Sequence, residues 1–241
     1  MDRRIYLSMS GAKATMQRQD VLANNLANVS TNGFREELQS FRAVPVRGDG
    51  ASTRAYALET TTGYNPEPGH VVATGRNLDV AVKGNAWLAV QGLDGTEAYT
   101  RSGALDVNAE GTLVTRTGLT VLGDGGPISV PPNAEVSVGS DGTVSARAPG
   151  GAPGPIGKLK LATSPSPLKR SEDGLFRAPG GDLPADPAAQ VQDGALEGSN
   201  VSAVSTMVAM IAAARQFEAQ MKSMQTAEKD EQQAQQLLSM N

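Results

Sequence analysis

The chain has 241 residues, of which 39% are apolar and 4% aromatic, and 27 glycines and 14 prolines punctuate it. Such a composition favours short strands joined by many turns over a large aromatic core. A net charge of −4 and a pI near 5.1 leave no basic face for nucleic acid, and the lack of cysteine excludes disulfides and thiolate metal sites.

The opening "MDRRIYLSMSGAKATM" has two arginines, but polar residues interrupt what would be the apolar part of a secretory signal, so no cleaved signal is expected. No run of about 18 apolar residues occurs, and no membrane insertion by a helix is expected. From Ile5, the positions Ile5, Met9, Ala12, Met16, Gln19, Ala23 and Leu26 follow alternating steps of four and three, a heptad seam with one polar interruption. The seam predicts a helical segment within residues 1–40. Its end is unusual: "NNLANVSTNGFR" carries Asn24, Asn25 and Asn28 through the helical pattern and stops at Asn32-Gly33. Asparagine weakens a helix interior, and Asn-Gly supplies the positive-φ residues of a turn or cap.

Residues 41–75 read as an extended connection, with "RGDGASTRAYALETTTGYNPEPGH" loosely ordered inside it. Over 76–180 the pattern is β. "LDVAVKG", "AWLAVQ", "EAYTRSG", "LDVNAEGTLVTRTG", "EVSVGSDGTVSAR" and "GKLKLAT" are short valine-rich runs, separated by turn pairs such as Asp94-Gly95, Glu110-Gly111 and Asp141-Gly142. They predict consecutive antiparallel hairpins in a sandwich or partly open barrel, interrupted by the loose "APGGAPGPIG". Residues 181–200 read as a second extended connection. Within 201–241 a stronger helical seam runs through Ala203, Met207, Met210, Ala214, Phe217, Met221 and Met224, broadened by Val204, Val208 and Ile211. Ser199 and Asn200 are its N-cap candidates. The fold class is therefore mainly β with α termini, the terminal helices packing in a coiled-coil-like manner either on each other or on helices of other subunits.

Chemical motifs are sparse. His70 is the only histidine, so one chain can build neither a hydrolytic triad nor a multi-histidine metal site. Asp79, Asp94, Glu97, Asp106 and Glu110 fall in the β region, and a glycosidase needs only two suitably spaced carboxylates. Such sites line aromatic-rich clefts, however, whereas Trp87 is the only tryptophan and sits in an apolar run that suits core packing. "GDGG" and "GNAWLAVQG" lack the helix and lysine of a phosphate loop, and "GSDGTVS" lacks the ordered ligands of a calcium loop. No catalytic residue, cofactor or metal is expected.

"ANNLANVSTNGFR" resembles the signature of the axial proteins of the bacterial flagellum, the rod and hook subunits, and "LEGSNVSAVSTMVAMIAAARQFEAQMK" resembles their C-terminal segment. "MDRRIYLSMSGA", "FRAVPV", "TGRNLDVAVKGNAWLAVQ" and "LKRSEDGLFRAP" are similar to the proximal-rod branch of that family, with Ala86 standing where a glycine is common. The resemblance implies a non-enzymatic subunit that stacks helically through its terminal helices and transmits torque from motor to hook. Its partners would be copies of itself, the other proximal- and distal-rod subunits and the flagellar export apparatus. Its place would be the rod within the periplasm, reached without a cleaved signal. On this reading the assembly interface comprises Ile5, Met9, Met16, Asn24, Asn25, Leu26, Asn28, Gly33, Met207, Met210, Ile211, Phe217, Met221 and Met224. The Asn24/Asn28 row would align neighbouring subunits as a buried amide does in a coiled coil. A distal-rod or hook subunit is the alternative within the family, and an exported β-rich carbohydrate-binding or hydrolytic module the alternative outside it.

Overall fold

A computed structural model describes residues 3–45 and 55–239, which divide into two compact units. The first contains residues 1–29, 36–65 and 201–241, and the second residues 30–35 and 66–200.

In the first unit, helix α1 (Arg3–Ala27) is followed by strands β1 (Glu37–Pro45) and β2 (Ala55–Tyr64), and helix α2 (Ala203–Ser239) closes the chain. β1 and β2 pair antiparallel from Glu37↔Tyr64 to Pro45↔Ala55, with a register shift between Ser40 and Phe41. The stretch expected to be loosely ordered thus carries an edge strand, while its residues 47–54 lie outside the described ones. α1 stops at Ala27, well before the Asn-Gly pair: the Asn28 side chain donates to the Asn24 carbonyl at 2.9 Å, and turns follow. α2 starts beyond the expected caps. Ser202 is the capping residue, its carbonyl accepting from the Thr206 amide at 2.9 Å and its hydroxyl bonding Ser205 at 3.1 Å. Asn200 instead donates its side-chain amide to the Glu67 carbonyl, within the second unit.

The second unit holds the remaining strands. In chain order they are β3 (Val71–Ala73), β4 (Val80–Val82), β5 (Ala86–Gln91), β6 (Glu97–Thr100), β7 (Leu105–Val107), β8 (Leu113–Thr115), β9 (Leu122–Gly123) and β10 (Gly126–Pro127). β11 (Glu135–Val138), β12 (Thr143–Arg147), β13 (Gly154–Lys158), β14 (Leu161–Thr163), β15 (Lys169–Arg170), β16 (Phe176–Arg177), β17 (Val191–Asp193) and β18 (Ala195–Glu197) complete it. They form small antiparallel sheets that do not close into a barrel. The largest has the order β14-β5-β6-β16-β15, and β11-β12-β13 form a second.

The expected turns are in place, with Gly95, Gly111 and Gly142 at φ of 78°, 77° and 82°. Pairing is less local than consecutive hairpins would give. β14 returns to the far edge of β5, β17 pairs with β4 and β18 with β3. Residues 181–200 therefore contribute two strands to this unit rather than only an extended connection. Their Gly-, Pro- and Asp-rich composition hides this, because partner strands lying more than a hundred residues earlier supply the ladder. "APGGAPGPIG" likewise enters β13, which pairs with β12 across a register shift between Val144 and Ser145.

One apolar cluster fills the unit, including the fully buried Val80, Leu88, Val90, Leu105, Leu113, Val121, Val144 and Val191. Trp87 is buried, as its apolar run suggests, with its ring 4.6 Å from that of Phe176.

Candidate functional site

α1 and α2 pair antiparallel, as the Ser8–Ser223 hydroxyl bond at 3.2 Å and the approach of Gly11 to the Gln220 side chain show. Among the described residues, the side chains buried on α1 are Ser8, Ala12 and Thr15, then Asn25, and those on α2 are Thr206, Ala213 and Ala227. The helices thus meet through small and hydroxyl-bearing residues. This contact leaves part of each heptad seam uncovered. Ile5, Leu26, Met210, Phe217 and Met224 are partly covered, whereas Met9, Met16, Met207 and Met221 are exposed by 62%, 54%, 50% and 37%. Tyr6 on α1 and Val204, Val208 and Ile211 on α2 add to the apolar surface in water, Val204 at 74%. Positions 204, 207, 208 and 211 share one face of a helix, so these four side chains form a continuous apolar patch. Scattered exposed apolar residues are ordinary on any protein; a contiguous row along a helix is not.

The asparagines act within the chain. Asn25 is 1% exposed, and its amide grips the backbone of Glu37 at both ends: Nδ2 donates to the carbonyl at 3.0 Å and Oδ1 accepts from the N–H at 2.8 Å. Asn24 Nδ2 donates to Glu37 Oε2 at 3.0 Å, and Asn28 Nδ2 to Asn24 Oδ1 at 2.9 Å. Asn24 and Asn25 thus tie the start of β1 to the end of α1, and Asn28 braces Asn24. Residue spacing could not reveal this, because the acceptor lies past the turn.

Gly33 is buried in the second unit at φ 71°, where its N–H donates to the Glu197 carbonyl at 2.8 Å. A Cβ there would lie 2.3 Å from the carbonyl carbon of Arg101, so only glycine fits. Beside it stands a buried ion triad. Arg35 Nη1 lies 2.7 Å from Glu197 Oε1 and Arg101 Nη2 2.6 Å from Glu197 Oε2, with all three side chains at most 3% exposed. Most of the remaining donors find backbone partners, the buried Arg35 Nε excepted. Arg101 reaches the carbonyls of Val82, Gly84 and Ala86, Arg35 reaches that of Glu67 at 2.5 Å, and the Gly69 N–H donates to Glu197 Oε1 at 3.0 Å. The position tolerates buried charge because both guanidinium groups share the Glu197 carboxylate and backbone carbonyls accept from them as well. The triad joins "NGFR", "TRSG" and "LEGSN" inside one unit, with Arg170 stacked 4.4 Å over the Phe34 ring. Sequence reading missed Arg35, Arg101 and Glu197. The available signal was opposite charge in the two quoted signatures, read there as motif letters rather than as partners.

The carboxylates that a hydrolase would need are engaged elsewhere. Asp79 accepts from Thr74 and pairs with Arg76 at 3.2 Å, and Glu97 accepts from Tyr99 at 2.6 Å and pairs with Lys160 at 2.7 Å. Hydrogen bonds from Thr96, with Arg177 nearby, hold Asp94 below the usual carboxylate range. Burial, reinforced by the Glu97 contact, pushes the Tyr99 hydroxyl well above its ordinary range. A shallow cavity of about 290 Å³ is lined by Lys83, Asn85, Thr163, Asp186, Gln190 and small residues, with one carboxylate and no aromatic ring. Among the described residues no cluster of His, Asp and Glu could hold a metal, and no helix is long and apolar enough to cross a membrane.

Three family models match the chain: "Flagella basal body rod protein" over residues 5–35, "Flagellar hook protein FlgE/F/G D1 domain" over 81–146, and "Flagellar basal body rod FlgEFG protein C-terminal" over 192–237. The flagellar basal-body rod protein FlgF of Salmonella typhimurium is 45% identical over 252 aligned residues, covering 100% of both chains, and that of Escherichia coli matches to the same extent. The rod protein FlgG of Bacillus subtilis is 32% identical, covering 95% of this chain and 96% of its own.

Proposed function

This chain belongs to the family of flagellar basal-body rod proteins, and from that premise we propose that it is a structural subunit of the proximal rod. It polymerises helically through the outer faces of α1 and α2 and transmits torque from the motor to the hook. The observation that carries this reading is the division of labour within the helix pair: small side chains close the pair, while Val204, Met207, Val208 and Ile211 on α2 and Met9 and Met16 on α1 stand in water. Methionine and valine in a helical row make adaptable knobs for neighbouring helices. The partners are copies of this chain and the adjoining proximal- and distal-rod subunits. The flagellar export apparatus delivers it to the periplasmic part of the basal body. Its role is structural rather than catalytic. Carboxylates tied into hydroxyl and ion pairs, and a cavity without aromatic side chains, speak against the carbohydrate-binding or hydrolytic alternative.

Electron micrographs of basal bodies from a strain lacking the gene test the assignment. Arrest inside the rod is the expected result, and arrest at the hook would move the chain to the distal part of the axis. In the same strain, a copy carrying Met207→Asp and Ile211→Asp should be exported and folded yet leave the rod incomplete. Full swimming by that variant would remove α2's outer face from the assembly surface.

A further inference from the structure

All the sulfur in this chain lies in its terminal segments. Methionines occur at positions 1, 9, 16, 207, 210, 221, 224 and 240, none occurs between 17 and 206, and there is no cysteine. The thioether is then the readily oxidised side chain that remains. Trp87, the other oxidisable candidate, is 6% exposed. Met9, Met16 and Met207 are at least half exposed, whereas Met210 and Met224 are partly covered. Met207 also sits within the apolar patch, flanked by Val204, Val208 and Ile211.

We propose that the exposed methionines form an oxidation site that controls assembly: a peroxide-class oxidant converts them to sulfoxides, and the modified chain no longer joins its neighbours. In this step a sulfur lone pair attacks one oxygen of hydrogen peroxide and an S–O bond forms as the O–O bond breaks. Sulfur loses two electrons, and the departing oxygen gains them with a proton and leaves as water. The product side chain carries a strong dipole where an apolar knob stood, and burying it between helices leaves an acceptor without a donor. The β unit has no methionine and keeps its fold. Once neighbours cover the outer faces the sulfurs are shielded, so the sensitive interval precedes incorporation. Reduction of the sulfoxide restores the surface. The inference rests on the outer helix faces being the assembly surface.

The test begins with the purified full chain in hydrogen peroxide, followed by peptide mass spectrometry. Met9, Met16 and Met207 should oxidise several-fold faster than Met210 and Met224, with the Trp87 fluorescence unfolding curve unchanged; equal rates at all five would overturn the site. A strain carrying Met9→Leu, Met16→Leu, Met207→Leu and Met221→Leu together is scored against its own peroxide-free rod count, and it should keep that count at a peroxide dose that halts rod building with the unaltered chain. Met207→Gln, which imitates the polarity of the sulfoxide, separates the two ideas. Normal rods with Met207→Gln would overturn both the assembly face and the oxidation site. Blocked rods with Met207→Gln, together with no peroxide resistance in the leucine variant, would overturn the oxidation site alone.

Discussion

The two units of this chain place their apolar side chains in opposite ways. In the β unit, Leu88, Leu105, Leu113, Val121 and Val144 are fully buried, and even the charged Arg35, Arg101 and Glu197 are closed off and paired. In the helical unit the buried helix positions among the described residues hold serine, threonine, alanine and Asn25, while Met9, Met16, Val204, Met207, Val208 and Ile211 face water. A unit of the first kind is complete alone, because burial of its apolar surface has already been realised. A unit of the second kind keeps its largest hydrophobic contribution in reserve for association. Folding energy and assembly energy thus reside in different residues, which makes them separable by mutation.

The largest expected effect lies in the β unit. Glu197→Ala leaves two buried guanidinium groups without a counter-charge and should lower the unit's stability by about 3–5 kcal/mol. Denaturant titration followed by the fluorescence of Trp87 reads this, and an unshifted midpoint would show that the triad is better solvated than its burial indicates. Next comes Gly33→Ala. Left-handed backbone alone costs an alanine about 1–2 kcal/mol, and the encounter with the Arg101 backbone adds to it, so the loss on the same titration should exceed that range.

Asn25→Ala tests the helical unit on its own terms. It leaves the Glu37 N–H and C=O without their partners, at about 1–3 kcal/mol, and should appear as faster hydrogen exchange over β1 and β2 while the Trp87 transition stays put. Met207→Ala then inverts the pattern: a half-exposed side chain should change folding by no more than about 0.5 kcal/mol, yet swimming on soft agar should fall. Met221 behaves likewise, since at 37% exposure it does not carry the cost of a buried knob. A stability loss without a motility loss at either methionine would erase the contrast between the units.

The smallest effect is one of pH. Hydrogen bonds from the Thr143 side chain and backbone lower the Asp141 carboxyl below its ordinary 3.8. A group lowered in the folded state adds stability above its unfolded pKa and loses that contribution as pH falls through the folded value. The β unit should therefore weaken slightly below about pH 4. The urea midpoint of Asp141→Asn should vary less over that interval than that of the unaltered chain.

Much of this organisation was legible in the residues themselves. Helical seams at both ends, valine-rich alternation between them and Asp-Gly pairs at the turns reflect local periodicity and backbone preference, which act within a few residues. The family signatures were legible too, including Gly33 as a position with a backbone role. Less visible was what each seam member faces. Heptad spacing marks a stripe, but a stripe wider than one contact can turn either edge inward, and here the partner helix takes Ala12 and Ala213 and leaves Met9 and Met207 outside.

The sequence alone therefore determined the two terminal helices, the β character of the region between residues 76 and 180, the acidic, thiol-free composition and the flagellar resemblance, because these depend on composition and on neighbours along the chain. Tertiary structure decided the rest. Only the fold brings Glu197 between Arg35 and Arg101, sets β17 and β18 beside β4 and β3, and turns the asparagines onto Glu37. Each of these contacts joins residues whose meeting depends on the path of the backbone between them, and no local pattern encodes that path.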